Sequence, residues 1–228
     1  MLHSPAVSRP LIIAIDGPSG AGKGTIARAV ATALGYRHID SGAMYRAVGW
    51  KALQTGVPLT DEAAVADLAA ASHVDVDGST VRIDGVDISR AIRTPEIDRA
   101  AAAVARLPRV RALLVDAQRA LAEGGGIVME GRDIGTVVFP QADAKIYLDA
   151  TEEERARRRA LDPAHTGATS VAEVASAIGE RDRSDRTRLV SPLYAAPDAQ
   201  VVDTTDLPVA AVVETVLRFV RERLPAAT

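Results

Sequence analysis

An α/β fold, a doubly wound parallel sheet carrying one small antiparallel insert, is predicted for this 228-residue chain by three observations. Short apolar runs bounded by turn residues alternate with stretches at helical spacing, the pattern of strands joined by crossover helices. The first apolar run passes into a glycine-rich loop, Gly17 to Thr25, and then into a helix. Residues 73–88 switch to period two around Asp-Gly turns, an antiparallel signature.

Residues 11–15, Leu-Ile-Ile-Ala-Ile, form a short apolar, β-branched run that ends at Asp16 and reads as a buried strand. Ile26, Ala27, Val30, Ala33 and Leu34 recur at helical spacing over 24–34, with Gly35 as a C-cap. Helices are expected at 44–53 and at 61–71, the second capped by Thr60. The meander at 73–88 follows. Thr94 and Pro95 form an N-cap and N1 pair for a helix to about residue 106, and Pro108 opens another to about 123. Residues 126–129 and 144–148 suit core strands. Residues 152–161 form a charged helix, 162–170 a loop, and 171 to about 188 a helical stretch in two pieces. Residues 200–203 read as the last strand and 208–224 as a closing amphipathic helix. Five strands are expected in the parallel sheet.

Composition narrows the function. Lys and Arg number 27 against 30 Asp and Glu, a formal charge of −3, which argues against a general nucleic-acid binder. An aromatic share of 3% leaves little for base-stacking platforms. The absence of Cys excludes disulfides and thiolate metal sites and fits a reducing compartment. No apolar run is long enough for a membrane helix, and residues 1–10 carry no signal-like apolar core, so a cytoplasmic protein is expected.

The loop Gly17-Pro18-Ser19-Gly20-Ala21-Gly22-Lys23-Gly24-Thr25 carries the strongest signal. Converging backbone N–H groups, a helix N-terminus and a lysine are what a phosphate chain requires. The pattern departs from Gly-x4-Gly-Lys-[Ser/Thr], because Gly24 takes the hydroxyl position and Thr25 follows. Such a loop indicates a nucleoside triphosphate and little more. The lysine count then excludes one class. The chain has three lysines against 24 arginines, and neither Lys51 nor Lys145 lies in an Asn/Thr-Lys-x-Asp guanine-reading motif.

Three further segments sharpen the reading. They are Asp40-Ser41-Gly42-Ala43-Met44-Tyr45-Arg46, the run from Glu130-Gly131-Arg132-Asp133 through Thr136-Val137-Val138-Phe139-Pro140, and the run from Glu180-Arg181-Asp182 to Arg188. With the loop, and in this order, they resemble bacterial-type cytidylate kinases, which are nucleoside monophosphate kinases of the P-loop class. The resemblance spans about residues 11–224. It implies transfer of phosphate from ATP to CMP or dCMP with Mg²⁺, by a cytoplasmic monomer that binds neither nucleic acid nor membrane. It implies a core at about 10–59, 108–156 and 181–228, an acceptor-binding insert at about 60–107 and a lid at about 157–180. Phosphoryl transfer asks mainly for positioning and positive charge.

By the same resemblance, residues 17–25 and Arg158 bind ATP, and Lys23, Arg132, Arg158 and Arg188 form the catalytic set. Ser41, Arg46, Arg111, Arg132, Asp133, Arg181, Asp185 and Arg188 bind CMP, with Asp133 accepting from the cytosine amino group. Thr25 and Glu130 serve Mg²⁺, through water where needed. Spacing alone places Arg181, Asp185 and Arg188 on one helix face, where Asp185 can orient Arg181; Arg183 and Arg186 fall on other faces. Arg155, Arg157, Arg158 and Arg159 form a basic cluster at the lid. Where the family often has a base-contacting Ser nine residues before Arg111, this chain has Ala102. The four histidines receive no role. A shikimate- or gluconate-type kinase remains the rival within enzymes, and it would need an acceptor site without base-reading residues. A nucleotide-binding regulatory module is the rival outside them.

Overall fold

A computed structural model of the protein describes residues 10–162 and 171–223. The elements are β1 (Ile12–Asp16), α1 (Lys23–Leu34), β2 (Arg37–Asp40), α2 (Ser41–Gln54), α3 (Glu62–Ala70), β3 (Val74–Asp77), β4 (Thr80–Ile83), β5 (Val86–Asp87), α4 (Pro95–Val104), α5 (Pro108–Leu121), β6 (Ile127–Gly131), β7 (Ala144–Asp149), α6 (Glu152–Ala160), α7 (Val171–Thr187), β8 (Gln200–Asp203) and α8 (Val209–Arg221). A short π-helix, Ile134–Val138, follows β6.

Five strands pair in the order β2-β6-β1-β7-β8, all parallel. β1 and β6 are buried along nearly their whole length, as strands covered on both faces must be. One face packs Ile13, Ile15 and Ile146 under Val30 of α1 and Val216 of α8. The other packs Ala14, Ile39 and Met129 under Val115 of α5 and Ile134 of the π-helix. A third cluster joins α2 to the insert through Met44, Val48, Val76, Ile83 and Ile97. The insert holds its own antiparallel sheet, β3-β4-β5.

Four local features differ from the sequence expectation. β2 was not foreseen, because Arg-His-Ile-Asp shows neither an apolar run nor clean alternation. It forms by pairing with β6, from Arg37 opposite Ile127 to Asp40 opposite Glu130. The N-cap of α3 is Asp61 rather than Thr60, since the Asp61 carboxylate accepts from the Ala64 N–H at 3.0 Å. α7 is one helix over Val171–Thr187, not two pieces. After Arg132, where the sequence shows no sign of a helix, the chain winds into the π-helix, because the Asp16 carboxylate accepts from the Ile134 and Gly135 N–H groups at 2.8 and 2.7 Å. Of the expected loop at 162–170, residues 163–170 lie outside the described residues, as does the end of the last helix at 224.

Gly49 sits inside α2, where a glycine ordinarily weakens a helix. Its reason is close packing: a Cβ there would lie 3.1 Å from Ala100 Cβ and 3.2 Å from the α4 backbone. Gly49→Ala should therefore lower stability by about 1–3 kcal/mol despite the better helix propensity of Ala. Denaturant unfolding of both proteins checks this; equal or greater stability in the variant contradicts the packing argument.

Candidate active site

The glycine loop leaves the C-terminal end of β1 at the centre of the sheet, where open α/β sheets place their ligands. Gly17 has φ +149°, and a Cβ there would fall 2.0 Å from the Leu148 carbonyl oxygen, so a glycine is required. Gly22 caps α1 in the left-handed region, which aims the helix N-terminus at the loop. Two side chains clamp the loop from outside. The Ser19 N–H donates to Asp182 at 3.0 Å, and Arg155 donates to the Ser19 carbonyl at 2.8 Å and to Asp182. The loop is thus fastened to both α6 and α7.

Lys23 is buried, and its ammonium donates to the Pro18 carbonyl at 2.6 Å. Burial, with Arg132 nearby, pushes its pKa down to about 7, while Glu130 and Asp182 oppose the shift. The loop from Ser19 to Thr25 forms one wall of a cleft of about 1530 Å³. Arg158 enters from α6, donating to the Thr204 hydroxyl at 2.8 Å and the Thr204 carbonyl at 2.6 Å. Leu207, Pro208 and Val209 supply an apolar border beyond it.

Arg46, Arg132 and Arg181 also line this cleft. Arg46 donates to Asp40 at 2.5 Å, and Arg132 donates through Nε to Asp185 at 2.9 Å. Burial alone would raise the Asp40 pKa, but Arg46 and Arg93 hold its carboxyl well below the usual range. Asp185 is likewise held low, against its burial, by Arg132, Arg181 and Arg188.

Other predicted residues form a layer behind the cleft. Arg111 is buried against Asp133, with its guanidinium 5.5 Å from the Tyr45 ring centre. Arg188 lies 3.6 Å from both Asp133 and Asp185, and Ser41 donates to the Glu130 carbonyl at 2.7 Å. The expected orientation of Arg181 by Asp185 is replaced. Asp185 takes Arg132, and Arg181 donates to Asp98 on α4 at 3.1 Å. Among the described residues, Arg46 Nε, Arg111 Nε, Arg181 Nε and Arg188 Nη2 are buried donors without a hydrogen-bond partner. Of these, the two on Arg46 and Arg181 belong to residues that line the cleft and suit a polar anionic ligand. Arg155, from the basic cluster, is instead a buried strut.

Glu130 and Thr25 offer two oxygen donors beside the loop. The Thr25 side is exposed, and Glu130 comes within 3.1 Å of where a Gly24 Cβ would stand. Hard oxygen donors beside a phosphate loop fit Mg²⁺, which keeps most of its waters. His38 holds Glu130 at 3.0 Å, a contact that spacing did not suggest because it crosses from β2 to β6. Sequence reasoning also passed over Asp16, Arg93, Asp98 and Thr204. Asp40 and Asp182 lay within quoted motifs but carried no assigned role.

The family model described as cytidylate kinase matches residues 13–222. A cytidylate kinase of Pelotomaculum thermopropionicum is 49% identical, over 90% of this chain and 93% of that protein. One from Desulfitobacterium hafniense is 46% identical over 96% of each. Among solved structures, a gluconokinase from Sinorhizobium meliloti matches 94% of each chain at a TM-score of 0.52 and 18% identity, a likeness of fold alone. With the family model covering most of its length, this chain belongs to the cytidylate kinase family.

Proposed function

We propose that this enzyme transfers the γ-phosphoryl group of ATP to CMP or dCMP, with the glycine loop as donor site and the arginine wall as acceptor site. One observation supports the assignment of roles best: the phosphate loop and Arg46, Arg132 and Arg181 border the same cleft. Two phosphate-binding walls facing each other are what in-line transfer between nucleotides needs. Residues 17–25 cradle the donor phosphates, and Lys23 and Arg158 grip them. Arg46 and Arg181 hold the acceptor phosphate, and Arg132 and Arg188 steady the charge that develops between. Thr25 and Glu130 would hold Mg²⁺, directly or through water, and the ion would neutralise charge on the phosphate oxygens. Ser41 and Asp185 orient the acceptor.

Asp133 is the proposed base reader, with Arg111 behind it. Its carboxylate would accept from the cytosine amino group and repel the uracil carbonyl. Ala102 offers no hydroxyl for the base. Residues 60–107 act as the acceptor-binding insert and the segment about 157–180 as the lid. The enzyme works as a cytoplasmic monomer; among the described residues no helix is long and apolar enough to cross a membrane.

A coupled ADP-release assay should show CMP and dCMP turning over well ahead of UMP and AMP. Equal rates with UMP or AMP contradict the base assignment. Asp133→Asn should narrow the preference for CMP over UMP by about 1–3 kcal/mol, read as the ratio of kcat/KM values; an unchanged ratio removes Asp133 from base reading. Lys23 gives a pH signature. With its pKa near 7, most of it is neutral at pH 8, and a bound triphosphate should recharge it. ATP binding at pH 8 should then take up about one proton. Calorimetry in two buffers of different ionisation enthalpy measures this; Lys23→Met should show no uptake, and an equal uptake there would sink the assignment.

A further inference from the structure

Asp98 stands where three helices meet. It lies in the first turn of α4, which begins with the Thr94 hydroxyl accepting from the Ile97 N–H at 3.3 Å and with Pro95 in the first turn. A carboxylate at that position is favoured by the helix dipole and is fixed by a rigid start. Each of its oxygens takes a different guanidinium. Oδ2 accepts from Arg159 of α6 at 2.5 Å, and Oδ1 accepts from Arg181 of α7 at 3.1 Å.

The geometry has a front and a back. Arg159 and Arg181 border the large cleft, and both also border a smaller cavity of about 400 Å³ between α4 and α7. Asp98 borders the smaller cavity and is absent from the cleft wall. It therefore grips the two guanidiniums from behind and leaves their other edges toward the cleft. The pair needs such a grip. Burial disfavours the charge on Arg159; Asp98, and more weakly Asp162, support that charge, while Arg181 and Arg46 push against it. Without a carboxylate between them, two guanidiniums on separate helices would repel and separate.

We propose that Asp98 is a positioning residue that holds Arg159 and Arg181 at the acceptor end of the cleft and fastens the insert to α6 and α7 there. The proposal rests on the reading of Arg181 as an acceptor-phosphate ligand and extends it to Arg159. Asp98 does not touch the reacting groups; it acts through the two arginines.

Steady-state kinetics on Asp98→Asn test this. The expected result is a KM for CMP raised about tenfold, with the KM for ATP changed less than about twofold, and recovery of most of the loss in Asp98→Glu. If Asp98→Asn does not fold, Arg159→Gln breaks the same contact from the other side and should raise the KM for CMP alike. Where both single variants fold, the double variant should lose less than the sum of the two, because they share the Asp98–Arg159 contact. A lowered melting temperature with an unchanged KM for CMP, in whichever variant folds, overturns the proposal and leaves Asp98 a strut. A lowered KM overturns it too, since Asp98 would then compete with the acceptor. Wild-type enzyme that turns over CMP normally separates these outcomes from a failure of the functional reading, which would show as no CMP turnover at all.

Discussion

Repulsion among guanidiniums is the constraint on which the rest of this structure depends. A site for two nucleotides must gather positive charge, and here Arg46, Arg132, Arg158, Arg159 and Arg181 border one cleft. In a partly desolvated cleft such groups repel strongly unless carboxylates stand between them. The fold supplies one for each: Asp40 for Arg46, Asp185 for Arg132, Glu154 for Arg158, and Asp98 for Arg159 and Arg181. Behind them Asp133 holds Arg111 and Asp182 holds Arg155. The formal charge of −3 is compatible with this arrangement, because the carboxylates offset most of the site's positive charge. A phosphate-binding protein can be mildly acidic when its binding arginines arrive already matched.

These pairs also join the architecture. Asp40 ends β2, Asp98 lies in the first turn of α4, and Asp182 and Asp185 lie on α7, so the ion pairs link the sheet, the insert and the helices around the cleft. The clamp at Ser19 shows the consequence. One carboxylate, Asp182, receives both a loop N–H and Arg155, which in turn holds the loop carbonyl. Loop shape, α6 and α7 are therefore set together, and a change in any one is felt at the phosphate site.

Much of this was legible in the sequence, and the reasons differ by feature. The parallel sheet showed through apolar runs that need no partner to be read, and the glycine loop through spacing that only a tight backbone uses. The insert announced itself by a change of period from helical to alternating. β2 was not legible, because its stability comes from the β6 edge and not from its own residues. The π-helix was hidden for a similar reason: Ile-Gly-Thr-Val-Val is poor helix sequence, and a carboxylate 118 residues earlier in the chain organises it. Asp98, His38 and Asp16 act through partners distant in sequence. Spacing reports neighbours along one helix, which is why it suggested Asp185 for Arg181 and missed Asp98.

Asp16 shows what the arrangement costs. Its carboxyl is buried at the end of β1, and burial pushes its pKa up to about 6 even though two backbone N–H groups favour the ionised form. The folded pKa lies above the unfolded value of 3.8, so the ionised carboxylate costs stability, and the cost grows as pH rises from about 4 through 6. An apolar residue there would avoid that cost. It would also leave the Ile134 and Gly135 N–H groups without their acceptor, and the turn between them and β6 carries Arg132 and Asp133. The chain thus accepts a penalty in its core that keeps two site residues in a fixed place, whereas at Asp40 and Asp185 neighbouring arginines reverse the sign and the ionised carboxylate stabilises the fold.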